Sequence, residues 1–340
     1  MTRTLVAPGP VFDHLLALSD GGGLHEHARH DVPRPEHGYC VDDESRALVV
    51  LCREPRLGAG LHALAERCLD LVAGAIAPDG RCHNRHDTAG SWTDEAGLDD
   101  VWGRAVWALG FAAVHAPSDG MRATALVAFR TATAAHPTQW RPLVFAALGA
   151  GELLLARPDE TAARDLLRRF TAETAGRPGT PAWPWPEPRL AYSNGSVAEA
   201  VILAGHALGD RAVLGRGLAL LDFLLAVETS GGHLSVTPVG GRGPLDVAPA
   251  FDQQPIEVAA LADACARAHA VTGDERWRAA VGLAAAWFLG DNDSSTPMVD
   301  PATGAGYDGL QRLGRNDNRG AESTLAALST LQQLTRGSRS

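Results

Sequence analysis

The 340-residue chain contains no lysine, and the 30 residues of its Lys and Arg count are all arginines. This absence excludes mechanisms that need a lysine amine: Schiff-base and pyridoxal chemistry, a P-loop phosphate grip and a lysine general base. The 40 Asp and Glu residues give a net charge of −10, and no basic run interrupts them. We therefore expect no nucleic-acid partner, because a phosphate backbone attracts basic surfaces.

Cysteine motifs and long apolar segments are also missing. The five cysteines are odd in number and include no Cys-x-x-Cys, which argues against a disulfide framework or a zinc ribbon and favours reduced, packed thiols. The N-terminus lacks the pattern of a signal peptide, and no window approaches the roughly 18 apolar residues of a membrane span. We expect a soluble cytoplasmic protein with no membrane partner and no cofactor.

Helical periodicity dominates what the sequence does contain. Apolar residues recur at i, i+3, i+4 and i+7 in eleven segments. These segments are 44–54, 60–76, 101–116, 121–136, 141–156, 160–174, 196–209, 211–228, 255–271, 275–290 and 319–335. Only residues 231–236 resemble a strand. The predicted fold class is therefore all-α.

Short turns join these helices in pairs, and longer loops rich in Gly, Pro, Trp and Asp separate the pairs. The pairs begin near residues 42, 99, 141, 196, 254 and 319, a repeat of roughly 40 to 65 residues that is typical of helical hairpins. Six hairpins with all long loops on one side predict a closed (α/α)6 toroid; an open solenoid is the alternative. We expect one domain over 1–340, with 1–38 forming an N-terminal helix and loop. Every inner helix would then begin at the same open end of the toroid, which we call the mouth.

Two pairs of adjacent acids, Asp42-Asp43 and Asp99-Asp100, fall at predicted inner-helix starts. One side chain suffices to cap a helix and adjacent acids repel, so capping alone does not explain the doubling. Like charges in a partly enclosed mouth acquire different pKa values, as a general acid and base require. The catalytic candidates are Asp43, Asp100, Glu257 and Glu322.

Aromatic rings and amides accompany these acids. Sugars stack their C–H faces on aromatic rings, and their hydroxyls bind polar side chains. The candidates for substrate binding are Tyr39, Asp42, Asp99, Arg104, Trp140, Arg141, Trp185, Tyr192, Asn194, Gln253, Gln254, Tyr307, Asp308 and Asn318. Two histidine groups, one of His25, His27, His30 and His37 and one of His83 and His86, are unevenly spaced in loops. We expect them to be solvent-exposed and predict no metal site.

The sequence resembles helical domains that occur alone or fused behind glycosyltransferase domains in bacteria and archaea. The similarity runs in order through GYCVDDESRAL, DGRCHN, DDVWGRAVWALG, FDQQPIE and NDNRGAEST, and covers nearly the whole chain. It implies an (α/α)6 fold, a carbohydrate-related role and possible partnership with a glycosyltransferase. The residues that match are Tyr39, Asp42, Asp43, Arg46, Asp100, Arg104, Asn194, Gln254, Glu257, Asp308 and Glu322. The chain departs from the pattern at Glu44-Ser45, Asp99 and Ser193.

A looser similarity to unsaturated glucuronyl hydrolases, also (α/α)6 proteins, places Asp43 and Asp100 where that family has aspartates at early inner-helix ends. Our leading hypothesis is a glycoside hydrolase that cleaves a neutral or mildly anionic oligosaccharide. Asp43 and Asp100 would be its acid and base, and inversion is favoured. The alternative is a non-catalytic glycan-binding partner of a glycosyltransferase.

Two further activities occur on this fold but fit the sequence less well. A terpene-type cyclase would need an acid where Cys40 stands, two residues before Asp42. A sugar epimerase would need histidine pairs on inner helices, whereas His206 and His269 lie towards the ends of theirs.

Overall fold

The computed structural model describes residues 9–336, and its helices follow the predicted periodicity closely. The helices of this part of the chain are α1 (Asp13–Ala17), α2 (Val41–Arg53), α3 (Ala59–Gly74), α4 (Asp100–His115), α5 (Asp119–Ala132), α6 (Trp140–Ala156), α7 (Thr161–Ala175), α8 (Asn194–Leu208), α9 (Arg211–Glu228), α10 (Pro255–Thr272), α11 (Glu275–Phe288) and α12 (Ala321–Arg336). Side chains of Asp99, Ser118, Asp210 and Asp274 cap four of the helix starts.

The even-numbered helices form a closed inner ring. Each packs against the next even-numbered helix, and α12 packs against α2. The ring is tightest between α4 and α6, where a Cβ on Gly110 would lie 2.5 Å from the carbonyl carbon of Gly149. Only glycine permits this approach of two backbones. The closed toroid is confirmed, and the open solenoid is wrong.

Five of the six helix pairs are consecutive hairpins, but the sixth is assembled from both chain ends. The five-residue α1 packs against α12 and α3. His14 fixes it, because its backbone N–H donates to the Thr303 carbonyl at 3.0 Å and its Nε2 lies 2.9 Å from the Arg319 carbonyl. A helix this short has no sequence periodicity to detect.

Four two-stranded antiparallel ribbons fasten the loops of the described chain. They pair β1 (Ala28–Arg29) with β2 (Val32–Pro33), β3 (Tyr39–Cys40) with β4 (Arg85–His86), β5 (Thr229–Ser230) with β6 (His233–Leu234), and β7 (Gly309–Gln311) with β8 (Gly314–Asn316). The segment 231–236 contains β6, as predicted. The other strands have two or three residues, too few for alternation to show. The β3–β4 ribbon ties the start of α2 to the loop that precedes α4.

The core lies between the inner and outer helices, and Trp102, Trp277, Trp287 and Phe129 are fully buried in it. All five cysteines are free and buried, as predicted. Among the described helices, none has the length and apolar character to cross a bilayer.

Candidate active site

The mouth of the ring contains a cleft of about 380 Å³ with strongly acidic walls. Six carboxylates line it: Glu26, Asp42, Asp43, Asp252, Asp308 and Glu322. The other polar residues of the lining are Gln254, His27, Arg46, Asn316 and Ser323. The structure therefore brings together five candidates from four separate segments of the sequence: Asp42, Asp43, Gln254, Asp308 and Glu322.

Arg46 lies at the centre of these acids. Its Nη1 donates to Asp43 Oδ1 at 2.6 Å, and its Nη2 lies 2.9 Å from both Asp42 Oδ2 and Glu322 Oε2. Arg46 follows Asp42 by four residues on α2, so one helical turn brings the charges together. One guanidinium thus holds three carboxylates, although the sequence did not place Arg46 in the site.

The adjacent acids Asp42 and Asp43 differ in protonation. Burial opposes the ionised form of Asp42, but Arg104 and Arg46 outweigh burial and lower the pKa of this carboxyl below 3.8. Burial raises the pKa of Asp43 well above 3.8, and Arg46 offsets only part of the rise. Asp42 is therefore ionised at neutral pH while Asp43 retains its proton more readily, which suits one acid and one anion in a single site.

Asp100 lies beside the cleft and is not among its lining residues. Its Oδ2 accepts a 2.5 Å hydrogen bond from the hydroxyl of Tyr192, whose ring packs under the guanidinium of Arg141 at 4.8 Å. Arg104, one turn after Asp100 on α4, donates to Asp42 Oδ1 at 2.7 Å. Asp100 and Tyr192 therefore form a second polar group beside the cleft. Arg104 links this group to the acid cluster, by which we mean Asp42, Asp43 and Glu322 around Arg46.

The structure does not bring Glu257 into the cleft. This glutamate is buried below the start of α8, where its carboxylate accepts the backbone N–H groups of Ser193 and Asn194 and the Asn194 side-chain amide. Ser193 has a left-handed φ of +46°, which is rare for a residue with a side chain. Burial and the nearby Glu228 raise the pKa of Glu257 to about 8. Glu257 thus holds the turn that presents Tyr192.

We expect Glu257→Ala to destabilise the fold by about 3 kcal/mol or more, because three N–H groups lose their acceptor. Glu257→Gln keeps one acceptor oxygen and should cost less. Urea unfolding of both variants measures the difference. An Ala variant with wild-type stability and no turnover would return Glu257 to the catalytic candidates.

The two tryptophan candidates are core residues and do not offer a face to a sugar. Trp140 is 5% exposed, and its indole N–H donates to Thr174 on the outer helix α7. Trp185 is 1% exposed and packs against Phe223 of α9. The prediction was wrong here because adjacency to a helix start does not determine which way a large ring turns.

Several other substrate-binding candidates are also occupied by protein partners. Gln253 is fully buried between Asp293 and Trp287. The hydroxyl of Tyr39 donates to Asp20, and the ring of Tyr307 is covered by Arg315. Arg141 is paired with Glu187, and Asp99 caps α4. Asn318 accepts from the backbone of His30 at 3.0 Å at the rim. The polar groups left facing the cleft are thus mainly carboxylates and Gln254.

Sequence reasoning missed Glu26 and Asp252. Both come from loops without periodicity; Asp252 belongs to the FDQQPIE segment, which was the one signal that could have found it. Arg85 of β4 binds Glu26, and the exposed Asp252 accepts from Gln311 at 3.3 Å.

The histidines do not behave as one group. His27, His30 and His37 are exposed as expected, but His25 is buried and stacks on Tyr39 at 5.2 Å. His83 and His86 are half-buried around the ring of Trp92.

One group of metal-ligand type, Glu26, Cys40 and Asp43, has atoms within 4.8 Å of one another. Arg85 and Arg46 already neutralise the two carboxylates. Burial raises the pKa of the Cys40 thiol, which disfavours the thiolate that a metal binds. These three residues therefore fit a metal ion poorly.

No family model matches the chain, and no curated protein matches it by sequence. Solved structures match its fold. A cellobiose 2-epimerase from Bacillus thermoamylovorans has a TM-score of 0.72 at 12% identity, over 96% of both chains. A cellulase of C. cellulolyticum in complex with cellobiose has a TM-score of 0.63 at 10% identity. This match covers 93% of this chain and 88% of the cellulase.

An inactive variant of a GH76 α-1,6-mannanase from a Salegentibacter species, in complex with α-1,6-mannotetrose, has a TM-score of 0.65 at 10% identity. The match covers 95% of this chain and 96% of the mannanase. At these identities the matches show the (α/α)6 fold. The matched proteins are carbohydrate-active enzymes.

Proposed function

We propose that this protein is a glycoside hydrolase that cleaves an oligosaccharide at the mouth cleft. The observation that carries the proposal is the state of Asp43: a buried carboxyl with a raised pKa at the wall of a cleft whose neighbouring acid is held ionised. Hydrolysis of a glycosidic bond requires such a proton donor together with an ionised carboxylate.

Asp43 is the general acid in this proposal, and Glu322 is the general base. Glu322 lies in the same cleft and shares the guanidinium of Arg46 with Asp43, and its side chain is 38% exposed, so water can reach it. Asp42 stays ionised between Arg46 and Arg104 and orients both. Asp100, presented by Tyr192, is the second base candidate and otherwise binds a sugar hydroxyl.

Known proteins of this fold support the role of adjacent acids. The mannanase in complex with mannotetrose is inactive as a variant in which two adjacent aspartates are alanines. Asp42-Asp43 and Asp99-Asp100 are such pairs in this chain. Neutral oligosaccharides of mannose and of glucose are therefore the first substrates to test.

A sugar epimerase is the second candidate, because enzymes of that activity share the fold. Exchange of a proton on both faces of a sugar carbon needs two bases near neutral pKa, and histidine is the usual choice. On the described inner helices, the histidines are His115, His206 and His269, all near the helix ends away from the mouth. One loop histidine, His27, lines the cleft. This arrangement favours hydrolysis.

One experiment separates the activities. The full-length protein is incubated with α-1,6-mannotetraose, cello-oligosaccharides and cellobiose, and the products are identified by NMR. Shorter oligosaccharides with a defined anomer at the new reducing end support hydrolysis, and an α or β product distinguishes inversion from retention. An epimerised sugar of unchanged length supports the second candidate. Binding without turnover supports a glycan-binding partner of a glycosyltransferase and contradicts our proposal.

We expect kcat/KM to fall as pH rises through the pKa of Asp43, because a general acid is active only while protonated. Burial, Asp42 and Glu322 raise this pKa, and Arg46 lowers it, so the descending limb should begin well above pH 4. A pH–rate profile checks the limb. The residual activity of Glu322→Gln should still decrease at high pH. If this descending limb is absent in Glu322→Gln, the titrating group is Glu322 and not Asp43.

A further inference from the structure

A second cavity, of about 490 Å³, lies at the end of the ring opposite the mouth. The inner helices run from the mouth to this end, and residues near their C-termini line the cavity, among them Arg53 of α2, His115 of α4 and Arg267 of α10. Only a narrow space of about 40 Å³ lies along the axis between the two cavities, and the Arg53–Asp263 pair borders it. The second cavity is therefore separate from the proposed active site.

Most charged groups of this cavity are already paired. Arg53 binds both oxygens of Asp263 at 3.0 Å, and Ser329 and Gln333 donate to the same carboxylate. Glu152 accepts from Arg267 and lies 3.2 Å from His115 Nε2. These interactions are complete within the protein.

Among the buried charged groups of this cavity, Glu199 is the exception. It is 6% exposed, it lines the cavity, and it makes no hydrogen bond within the described chain. Its nearest cation is Nε of Arg267 at 3.6 Å, which is too long for a hydrogen bond. This Nε is itself buried without a hydrogen-bond partner. The Glu199 carboxyl thus faces the cavity without a hydrogen-bond donor, and leaving such an acceptor unpaired costs free energy.

A ligand hydroxyl in the cavity can donate to the Glu199 carboxyl. A single water has the same chemistry but occupies only about 30 Å³, whereas the cavity has the volume of a small-molecule site. Its remaining wall includes Phe111, Ala266 and Val281, an apolar surface against which the C–H face of a sugar ring can pack.

We propose that this cavity binds a polyhydroxylated ligand of monosaccharide size, with one hydroxyl hydrogen-bonded to Glu199. Burial and the nearby Asp263 raise the pKa of Glu199 to about 7, so the side chain is protonated in part at neutral pH and can also donate to a ligand oxygen. The ligand binds independently of the mouth, and the site does not depend on the activity proposed there.

The test measures binding of D-mannose, D-glucose and myo-inositol to the full-length protein by saturation-transfer NMR titration. It uses a Gln254→Trp background, in which an indole fills the mouth cleft. If circular dichroism shows that this variant does not fold, Glu322→Trp at the same cleft replaces it. We expect at least one of the three compounds to bind with the mouth blocked.

Two further changes in this background locate the ligand. Glu199→Met removes the acceptor at similar volume, and Glu152 still pairs with Arg267, so the guanidinium is not left without a partner. Ala266→Trp fills the cavity from the half-buried face of α10. Each should weaken binding about 10-fold or more, which is the effect of losing a hydrogen bond to a charged group. Absence of binding by all three compounds, or binding that both changes leave intact, would overturn the proposal.

Discussion

Asp43→Asn should reduce kcat on a hydrolysed oligosaccharide by about 10³-fold, within the range that general acid catalysis contributes. Asparagine is nearly isosteric with the carboxyl and still accepts the hydrogen bond from Arg46 that Asp43 Oδ1 accepts at 2.6 Å. It cannot release a proton to the leaving group. Binding of the oligosaccharide should change much less, so the loss should appear in kcat and hardly in the dissociation constant.

Glu44→Gln is the matched control for this variant. Glu44 is the next residue on α2 and is fully buried, and burial raises its pKa to about 7. It faces away from the cleft and accepts from the Leu24 N–H at 2.5 Å. Its replacement should leave kcat within a few-fold of wild type. Equal losses in both variants would mean that any neutralised acid on α2 perturbs the site, and would remove Asp43 from the mechanism.

The base assignment has its own comparison. Glu322→Gln should reduce kcat by a factor similar to that of Asp43→Asn. Asp100→Asn should reduce kcat less, because Glu322 lines the same cleft as Asp43 whereas Asp100 does not. A larger loss in Asp100→Asn would instead pair Asp43 with Asp100, as the sequence suggested. Steady-state kinetics on one substrate ranks the two variants.

The helical part of this fold follows from local sequence, and so does the ring. The periodic segments end within a few residues of the observed helices, because burial of one apolar face determines both. The asymmetry of loop lengths indicated where the inner helices begin. What the sequence missed is most of the strands, because ribbons of two or three residues are held by tertiary contacts that no local pattern reports.

The residues of the candidate site were predictable from sequence only where the helix start determines the direction of the side chain. At Asp42, Asp43 and Glu322, the first turn of an inner helix directs the carboxylate into the mouth. At Trp140 and Glu257, the same positions face an outer helix or the neighbouring helix start. Trp185 lies in the loop before α8, and its buried ring packs against Phe223. A helix start has two sides, and sequence alone does not distinguish them.

The acid cluster also explains how this mouth carries so many carboxylates without lysine. Arginine presents several donors in one plane, so Arg46 can bind Asp42, Asp43 and Glu322 together. Lysine has three donors on a single nitrogen and lacks this planar spread. The arginine-only composition is thus compatible with a concentrated acidic site, in which the carboxylates are the candidates for proton transfer.

Arg46→Met should destabilise the protein by about 3 to 5 kcal/mol at pH 7, the cost of breaking a buried ion pair by removing one partner. Arg46 is buried with three acids around it, and Arg104 still binds only Asp42. Activity should fall as well, because Asp43 and Glu322 lose the group that holds them together. Urea unfolding and steady-state kinetics measure the two effects.

The stability difference should depend on pH with a defined sign. The pKa of Asp42 is lowered below 3.8 in the folded protein, so its ion pair with Arg46 stabilises the fold above about pH 4 and is lost as pH falls through the folded pKa. The gap between wild type and Arg46→Met should therefore be largest near neutral pH and should shrink towards pH 3.

Arg53→Met is the matched control, since it breaks a buried arginine–aspartate pair on the same helix at the other end of the ring. It should cost similar stability but leave kcat close to wild type. If both variants lose turnover to the same degree at a temperature where both remain folded, the catalytic effect of Arg46 would be only a consequence of weakened packing. If only Arg46→Met loses turnover, the cluster that Arg46 organises is where the chemistry occurs.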